Sequence, residues 1–242
     1  MFQTKFQGPL FTAYYSVGSR PLDNWAVQCK EGEMQQVLDD IIKSNVLQIQ
    51  SPNVNACFIT CPLNSKGSLG VRLPFVTLLM KNLGRFFTFE ITVVLKMILK
   101  LTHENEKIFK NVKCNTVVTI EQILDSENIR RRLRMSNYHS IKKLSTFMIT
   151  MPICIDEGWN QLNLKLAEIT NQSFNTTYVE TVRVQVHANC RLRRIYFSDQ
   201  LYKDDELPNA YRMLGTKDAR EKPKRMLKKK AAVVDKKSAG DQ

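Results

Sequence analysis

Hydrophobic and polar residues alternate most clearly from Thr177 to Asp199. Val182, Val184 and Val186 interleave with Arg183, Gln185 and His187, the period-two pattern of a half-buried strand. Ala188-Asn189-Cys190 interrupts the rhythm with turn-tolerant residues. Arg191 to Phe197 resumes it with a slip, because Leu192 falls on one face while Ile195 and Phe197 fall on the other. A β-bulge at Arg193-Arg194 repairs such a slip. The pattern predicts two long antiparallel strands meeting here, apolar on one face and basic on the other.

Similar alternation recurs along the chain. Phe87, Phe89, Ile91 and Val93 alternate with Thr88, Glu90 and Thr92, which are expected to face outward. Ile129, Arg131, Leu133 and Met135 alternate with Arg130, Arg132 and Arg134. Phe147 to Ile155 keeps the period but contains Pro152, which marks an edge or bulged strand. Gly158-Trp159-Asn160 opens a strand with Leu162, Leu164 and Leu166 inward. Val46–Gln50 and Cys57–Thr60 are short strands around a Ser51-Pro52-Asn53 turn. Pro74–Lys81 is the best compact helix, with Pro near its start and Gly84 just past its end. Glu31–Lys43 suits a helix or a hairpin equally. Val94–Ile120 breaks the strand rhythm, and Leu95, Ile98 and Leu99 with Lys96 and Lys100 suggest a short amphipathic helix. A second short helix is expected between Asp204 and Tyr211. Many short strands with turn-rich joints predict an all-β fold, a β-sandwich of jelly-roll type with one or two short helices.

The chain has 242 residues, 43% of them hydrophobic, which suits one sandwich domain over residues 1–212 followed by a tail, 213–242. The net charge is +13, which points to an acidic partner. Residues 217–242 hold 10 basic and 4 acidic side chains, so about half of the excess, +6, lies in a tail expected to be disordered, leaving +7 for the rest. The N-terminal stretch lacks an apolar core with a small-residue cleavage site, so no secretory signal is expected. No apolar run approaches the roughly 20 residues that span a bilayer, so no membrane partner is expected. The sequons at Asn171 and Asn175 are accordingly expected to be unglycosylated, and the six cysteines to be reduced thiols.

Catalytic patterns are hard to find. His103, His139 and His187 have no carboxylate, Ser or Cys at a spacing that a nucleophile–base pair requires. Cys57, Cys61, His187 and Cys190 are ligand types that zinc takes. Yet Cys57 and Cys61 flank apolar residues and, on a strand, sit about 13 Å apart, so buried thiols without metal are expected. Arg130, Arg132 and Arg134 would form a row spaced about 6.6–6.8 Å on one strand face. With Arg183, Arg191 and Arg193 they could make a broad positive patch for carboxylates or phosphates. An ordinary solvated sheet face explains the same charges equally well. Basic residues without interleaved exposed aromatics suit base stacking poorly. Trp159 could be a sugar-stacking platform, though a core Trp at a strand start is commoner.

Many short blocks, in order, resemble the family of cilia- and flagella-associated protein 20. They include Gly18-Ser19-x-Pro21-Leu22-x-x-Trp25, Ile59-Thr60-Cys61-Pro62, Phe87-Thr88-Phe89-Glu90, Arg130-Arg131-Arg132, Gly158-Trp159-Asn160 and His187-Ala188-Asn189-Cys190-Arg191. The resemblance runs from Met1 to about Tyr211. It implies a single β-sandwich similar to carbohydrate-binding modules, without known catalysis; no cofactor is expected either. It also implies a microtubule inner protein at the inner junction of ciliary doublets, with tubulin and the parkin co-regulated protein as partners. Two features depart from the family: a segment inserted at residues 94–120, where a tight hairpin tip is expected, and the longer basic tail. Arg130, Arg132 and Arg134 are the first choice for the partner contact, Arg191 and Arg193 the second. A glycan-binding module and a basic nucleic-acid-binding protein are the alternative classes.

Overall fold

The computed structural model describes residues 7–97 and 129–213. They form a sandwich of two sheets around one apolar core. The strands are β1 (Leu10–Tyr15), β2 (Ala26–Cys29), β3 (Glu33–Asp39), β4 (Ser44–Gln50), β5 (Cys57–Cys61), β6 (Phe75–Asn82) and β7 (Thr88–Met97). After the undescribed residues come β8 (Ile129–Ser136), β9 (Lys143–Leu144), β10 (Met148–Pro152), β11 (Gly158–Lys165), β12 (Thr176–His187) and β13 (Cys190–Ser198). One sheet has the order β11-β6-β13-β4-β3, with β1 also on β13; the other runs β2-β5-β12-β7-β8-β10-β9. The expected all-β sandwich is what the chain adopts.

Several elements differ from the sequence reading. β12 and β13 do not pair with each other: they belong to opposite sheets, and Ala188-Asn189 is the corner between them. Asn189, almost fully buried, secures that corner. Its Oδ1 accepts the Ser51 amide at 2.7 Å and its Nδ2 donates to the Phe86 carbonyl at 3.1 Å. The expected bulge is present, because the register against β6 shifts between Leu192 and Arg194. Leu192, Ile195 and Phe197 can therefore all enter the core, each burial stabilising by about 1.5–3 kcal/mol. The basic outer face expected for β13 is largely covered: Arg194 is buried, its guanidinium 3.7 Å from the Tyr15 ring centre and 4.6 Å from that of Tyr211.

The expected helix at Pro74–Lys81 is strand β6, in the middle of its sheet between β11 and β13. A strand covered on both faces reads as a continuous apolar run, like a buried helix segment. The helix lies instead at Leu166–Phe174 (α1), starting at Leu166, which the sequence pattern assigned to the preceding strand. Leu166 and Thr170, one helical turn apart, are its buried residues, and Asn175 ends it in the left-handed region at φ 52°. Glu31–Lys43 resolves as the β3–β4 hairpin. The short helix expected before Tyr211 is a single 3-10 turn, Asn209–Tyr211. Pro152 ends β10 beyond the two residues that β9 pairs, so its missing N–H costs the sheet no bond.

The break in rhythm at Val94 is not the end of the strand. β7 continues to Met97, and Leu95 is fully buried, pairing with Tyr178 on β12 and Ile129 on β8. The amphipathic helix is thus not formed at Val94–Met97; its remaining residues, Ile98 and Leu99 among them, lie outside the described ones, as does the tail beyond Met213.

A candidate docking surface on β8

Strand β8 alternates as its sequence predicts. Leu133 and Met135 enter the core, while Arg130, Arg132 and Arg134 share the outer face. On neighbouring β7, however, the outward Thr88 and Glu90 are buried too. Glu90 is only 5% exposed and stands opposite Arg134 on β8 and Gln185 on β12. Its carboxylate accepts Arg134 Nε at 2.8 Å, and Arg132 Nε lies 3.4 Å away and His187 Nε2 3.5 Å. Burial pushes the Glu90 carboxyl up, but the His187 hydrogen bond and the charges of Arg134, His187 and Arg132 together outweigh it and hold it below the ordinary glutamate value. Uncompensated, a carboxylate buried this deeply would be costly. Arg134 is therefore a structural ion-pair partner.

The other two arginines are freer. The Arg132 side chain is 52% exposed, and Arg130 is exposed and forms no ion pair with any described residue. They line a groove of about 330 Å³ with Thr92, Arg131, Phe147 and Met148. Arg131, on the opposite face of β8, packs its guanidinium 4.2 Å from the Phe174 ring centre and ties α1 to the strand. The groove offers positive charge beside an exposed aromatic ring, which suits a carboxylate carried on an apolar neighbour.

The second-choice arginines lie on the other sheet, so the five do not form one patch. Arg191 gives Nε to Gln48 Oε1 at 2.7 Å and Nη1 to Asp39 Oδ2 at 2.8 Å. Arg193 donates to the Met213 carbonyl. Arg183 does share the outer face of the β8 sheet, opposite Thr92, but its guanidinium bonds the carbonyls of Pro62, Asn64 and Ser65.

Asp39 organises the outer face of the other sheet. Its carboxylate, fully buried, also accepts Lys81 Nζ at 2.9 Å, Trp159 Nε1 at 3.0 Å and the Ile41 amide at 3.0 Å. Trp159, Lys81, Arg191 and Gln48 are register neighbours across β11, β6, β13 and β4, so the hairpin end bearing Asp39 closes over a polar row. Burial raises the Asp39 carboxyl, and the hydrogen bonds from Lys81, Trp159, Arg191 and Ile41 more than reverse this, leaving it well below the usual carboxylate range. Trp159 is half-buried, with its indole N–H engaged in this network.

The zinc-like set is not assembled. Cys57 is bonded to Cys29, directly opposite it on β2 with 4.0 Å between Cα atoms, which corrects the expectation of six reduced thiols. Cross-strand register brings the pair together, and a separation of 28 residues in sequence carries no hint of it. Burial pushes the Cys61 thiol up to about 12 and raises that of Cys190 as well, the behaviour of inert core thiols. Among the described residues no three His, Cys, Asp or Glu side chains are placed to share a metal. Sequence reasoning missed Asp39 and Glu90. An outward Glu in one strand and an Arg-rich run in the next was the available signal for Glu90; nothing local marked Asp39.

Comparison with known proteins bears on the whole sandwich. The model of the CFA20 domain family matches residues 1–118 and 98–215, the two matches overlapping beyond the end of β7. Cilia- and flagella-associated protein 20 of Paramecium tetraurelia is 41% identical over 213 residues, covering 88% of this chain and 96% of that protein. Its counterpart in Chlamydomonas reinhardtii is 40% identical with the same coverage. That of Caenorhabditis elegans is 38% identical, over 88% of this chain and 90% of its own.

Proposed function

The chain belongs to the family of cilia- and flagella-associated protein 20, and we propose that it is a structural, non-enzymatic component of the cilium or flagellum. In this reading it is a microtubule inner protein of the axoneme that helps to close the B-tubule onto the A-tubule at the inner junction, supporting cilium assembly and motility. Its partners are tubulin and neighbouring inner-junction proteins such as the parkin co-regulated protein. The observation that carries the reading is end-to-end similarity: about 40% identity over 88% of the chain spans both sheets rather than one motif.

The working property is shape with charge. Tubulin presents an acidic surface, and arginines on a strand lose less entropy on docking than lysines on a tail while gripping carboxylates bidentately. Arg130 and Arg132 are the available members of the row. The test is co-sedimentation with salt-washed doublet microtubules, with cryo-electron maps of reconstituted doublets to locate the bound protein. Saturable binding with density at the inner junction supports the reading. Pelleting no better than the sandwich with Arg130→Glu and Arg132→Glu would show that those arginines do not dock.

A further inference from the structure

Residues 129–147, IRRRLRMSNYHSIKKLSTF, contain six Lys or Arg and no Asp or Glu. After β8 the chain returns along the outer edge of its sheet, and every residue from 140 to 147 is exposed. The segment is nonetheless anchored: β9 pairs with β10, the Ser145 amide and hydroxyl both donate to the Met148 carbonyl at 2.8 and 2.9 Å, and the Phe147 carbonyl accepts the Arg132 amide at 2.9 Å. Along this edge Ile141, Leu144 and Phe147 are 67%, 57% and 65% exposed. At its start Tyr138 packs against the exposed Phe86, ring centres 5.2 Å apart. Three of the eleven large hydrophobic side chains exposed among the described residues thus lie on this edge segment, and the Tyr138–Phe86 pair sits where the chain leaves β8. Large apolar side chains left exposed on one anchored segment, one of them (Phe147) lining the groove of Arg130 and Arg132, are what an interaction surface offers.

We infer that this edge is a protein-docking surface in which Ile141, Leu144 and Phe147 form the apolar centre, while Arg130 and Arg132 receive carboxylates of an acidic partner surface in the adjoining groove. The inference rests on the docking role proposed above and adds the element that carries affinity. A second copy of this chain is a poor occupant, because Arg130, Arg132, Lys142 and Lys143 would face their own like charges. Nucleic acid is a poor one too. The rings on this edge are separated by aliphatic Ile141 and Leu144, which give bases nothing to stack on, and Tyr138 is held by Phe86, by His139 at 4.5 Å and by a hydrogen bond between its hydroxyl and that of Thr88 at 3.1 Å. An acidic protein surface with apolar knobs satisfies both halves of the patch: the desolvated centre sets the off-rate and the charged rim the on-rate and salt dependence.

The experiment measures binding of three full-length proteins to salt-washed doublet microtubules over a range of salt concentrations: wild type, Ile141→Ser/Leu144→Ser/Phe147→Ser, and Arg130→Glu/Arg132→Glu. Urea midpoints confirm folding, which these exposed positions leave unchanged. The apolar variant should bind at least tenfold more weakly with an unaltered salt slope, and the charge variant should lose affinity together with salt dependence. If wild type and apolar variant bind doublets equally, the edge is not the docking centre although the docking role stands. If wild type fails to bind doublets, the docking role fails and this inference with it. A single-stranded RNA oligonucleotide bound by wild type and lost in the apolar variant would make the edge a nucleic-acid platform and overturn the inference.

Discussion

Asp39 and Arg191, 152 positions apart in the sequence, meet at 2.8 Å through a carboxylate that also takes Lys81 and the indole N–H of Trp159. Four strands of one sheet and the end of a fifth are tied at this point. The contact makes Arg191 an internal partner of its own sheet and gives the fold a definite dependence on acid.

The Asp39 carboxyl is held below its ordinary value in the folded protein, so its contribution is fully present above the unfolded value, about 3.9, and is lost as pH falls through the folded one. Glu90, also depressed, acts in the same direction. Urea midpoints measured from pH 7 to pH 2 should fall steeply below about pH 4. Asp39→Asn should be less stable at pH 7 and show a shallower fall. An unchanged acid slope in that variant would remove Asp39 from the account.

Neighbours on one strand should separate cleanly. Arg134→Glu places a second carboxylate against buried Glu90 and should cost about 3–5 kcal/mol, since removing one partner strands a buried charge. Arg130→Glu, at an exposed site with no described ion-pair partner, should stay within about 0.5 kcal/mol. Chemical denaturation of the two proteins decides it. Equal costs would mean that Glu90 does not depend on Arg134.

Leu95 tests where the strand ends. Its side chain is fully buried between Tyr178 and Ile129 in register, so Leu95→Ala should destabilise by about 2–5 kcal/mol through lost transfer energy and the cavity left behind. A change below about 0.5 kcal/mol, the scale of a surface substitution, would put Leu95 outside the core.

Reduction should loosen the edge strand. The Cys29–Cys57 bond closes a 28-residue separation, and breaking it should cost about 3–4 kcal/mol by the loop-entropy relation. Cys29→Ser should reproduce the fall in midpoint seen with reductant and should itself be insensitive to reductant. Alkylation with mass mapping should find these two thiols protected and Cys154, which is exposed, labelled.

The local pattern of the sequence by itself determined most strands, the bulge in β13, the split of β8 into an apolar and an arginine face, and the sandwich class. These follow from period-two alternation, which is set by the pleat and needs no distant partner. It misjudged Phe75–Asn82 and missed the helix Leu166–Phe174, because a strand buried on both faces and a short helix lack the alternation that separates the two. Which sheet each strand joins was beyond it: β12 and β13 are consecutive yet lie in opposite layers. Register between distant strands alone set Asp39 against Arg191, Glu90 against Arg134, and Cys29 against Cys57. Those pairings divide the arginines into holders of the fold, such as Arg134 and Arg191, and exposed ones, such as Arg130. That division is a property of burial and distance between strands, and so only the tertiary structure could decide it.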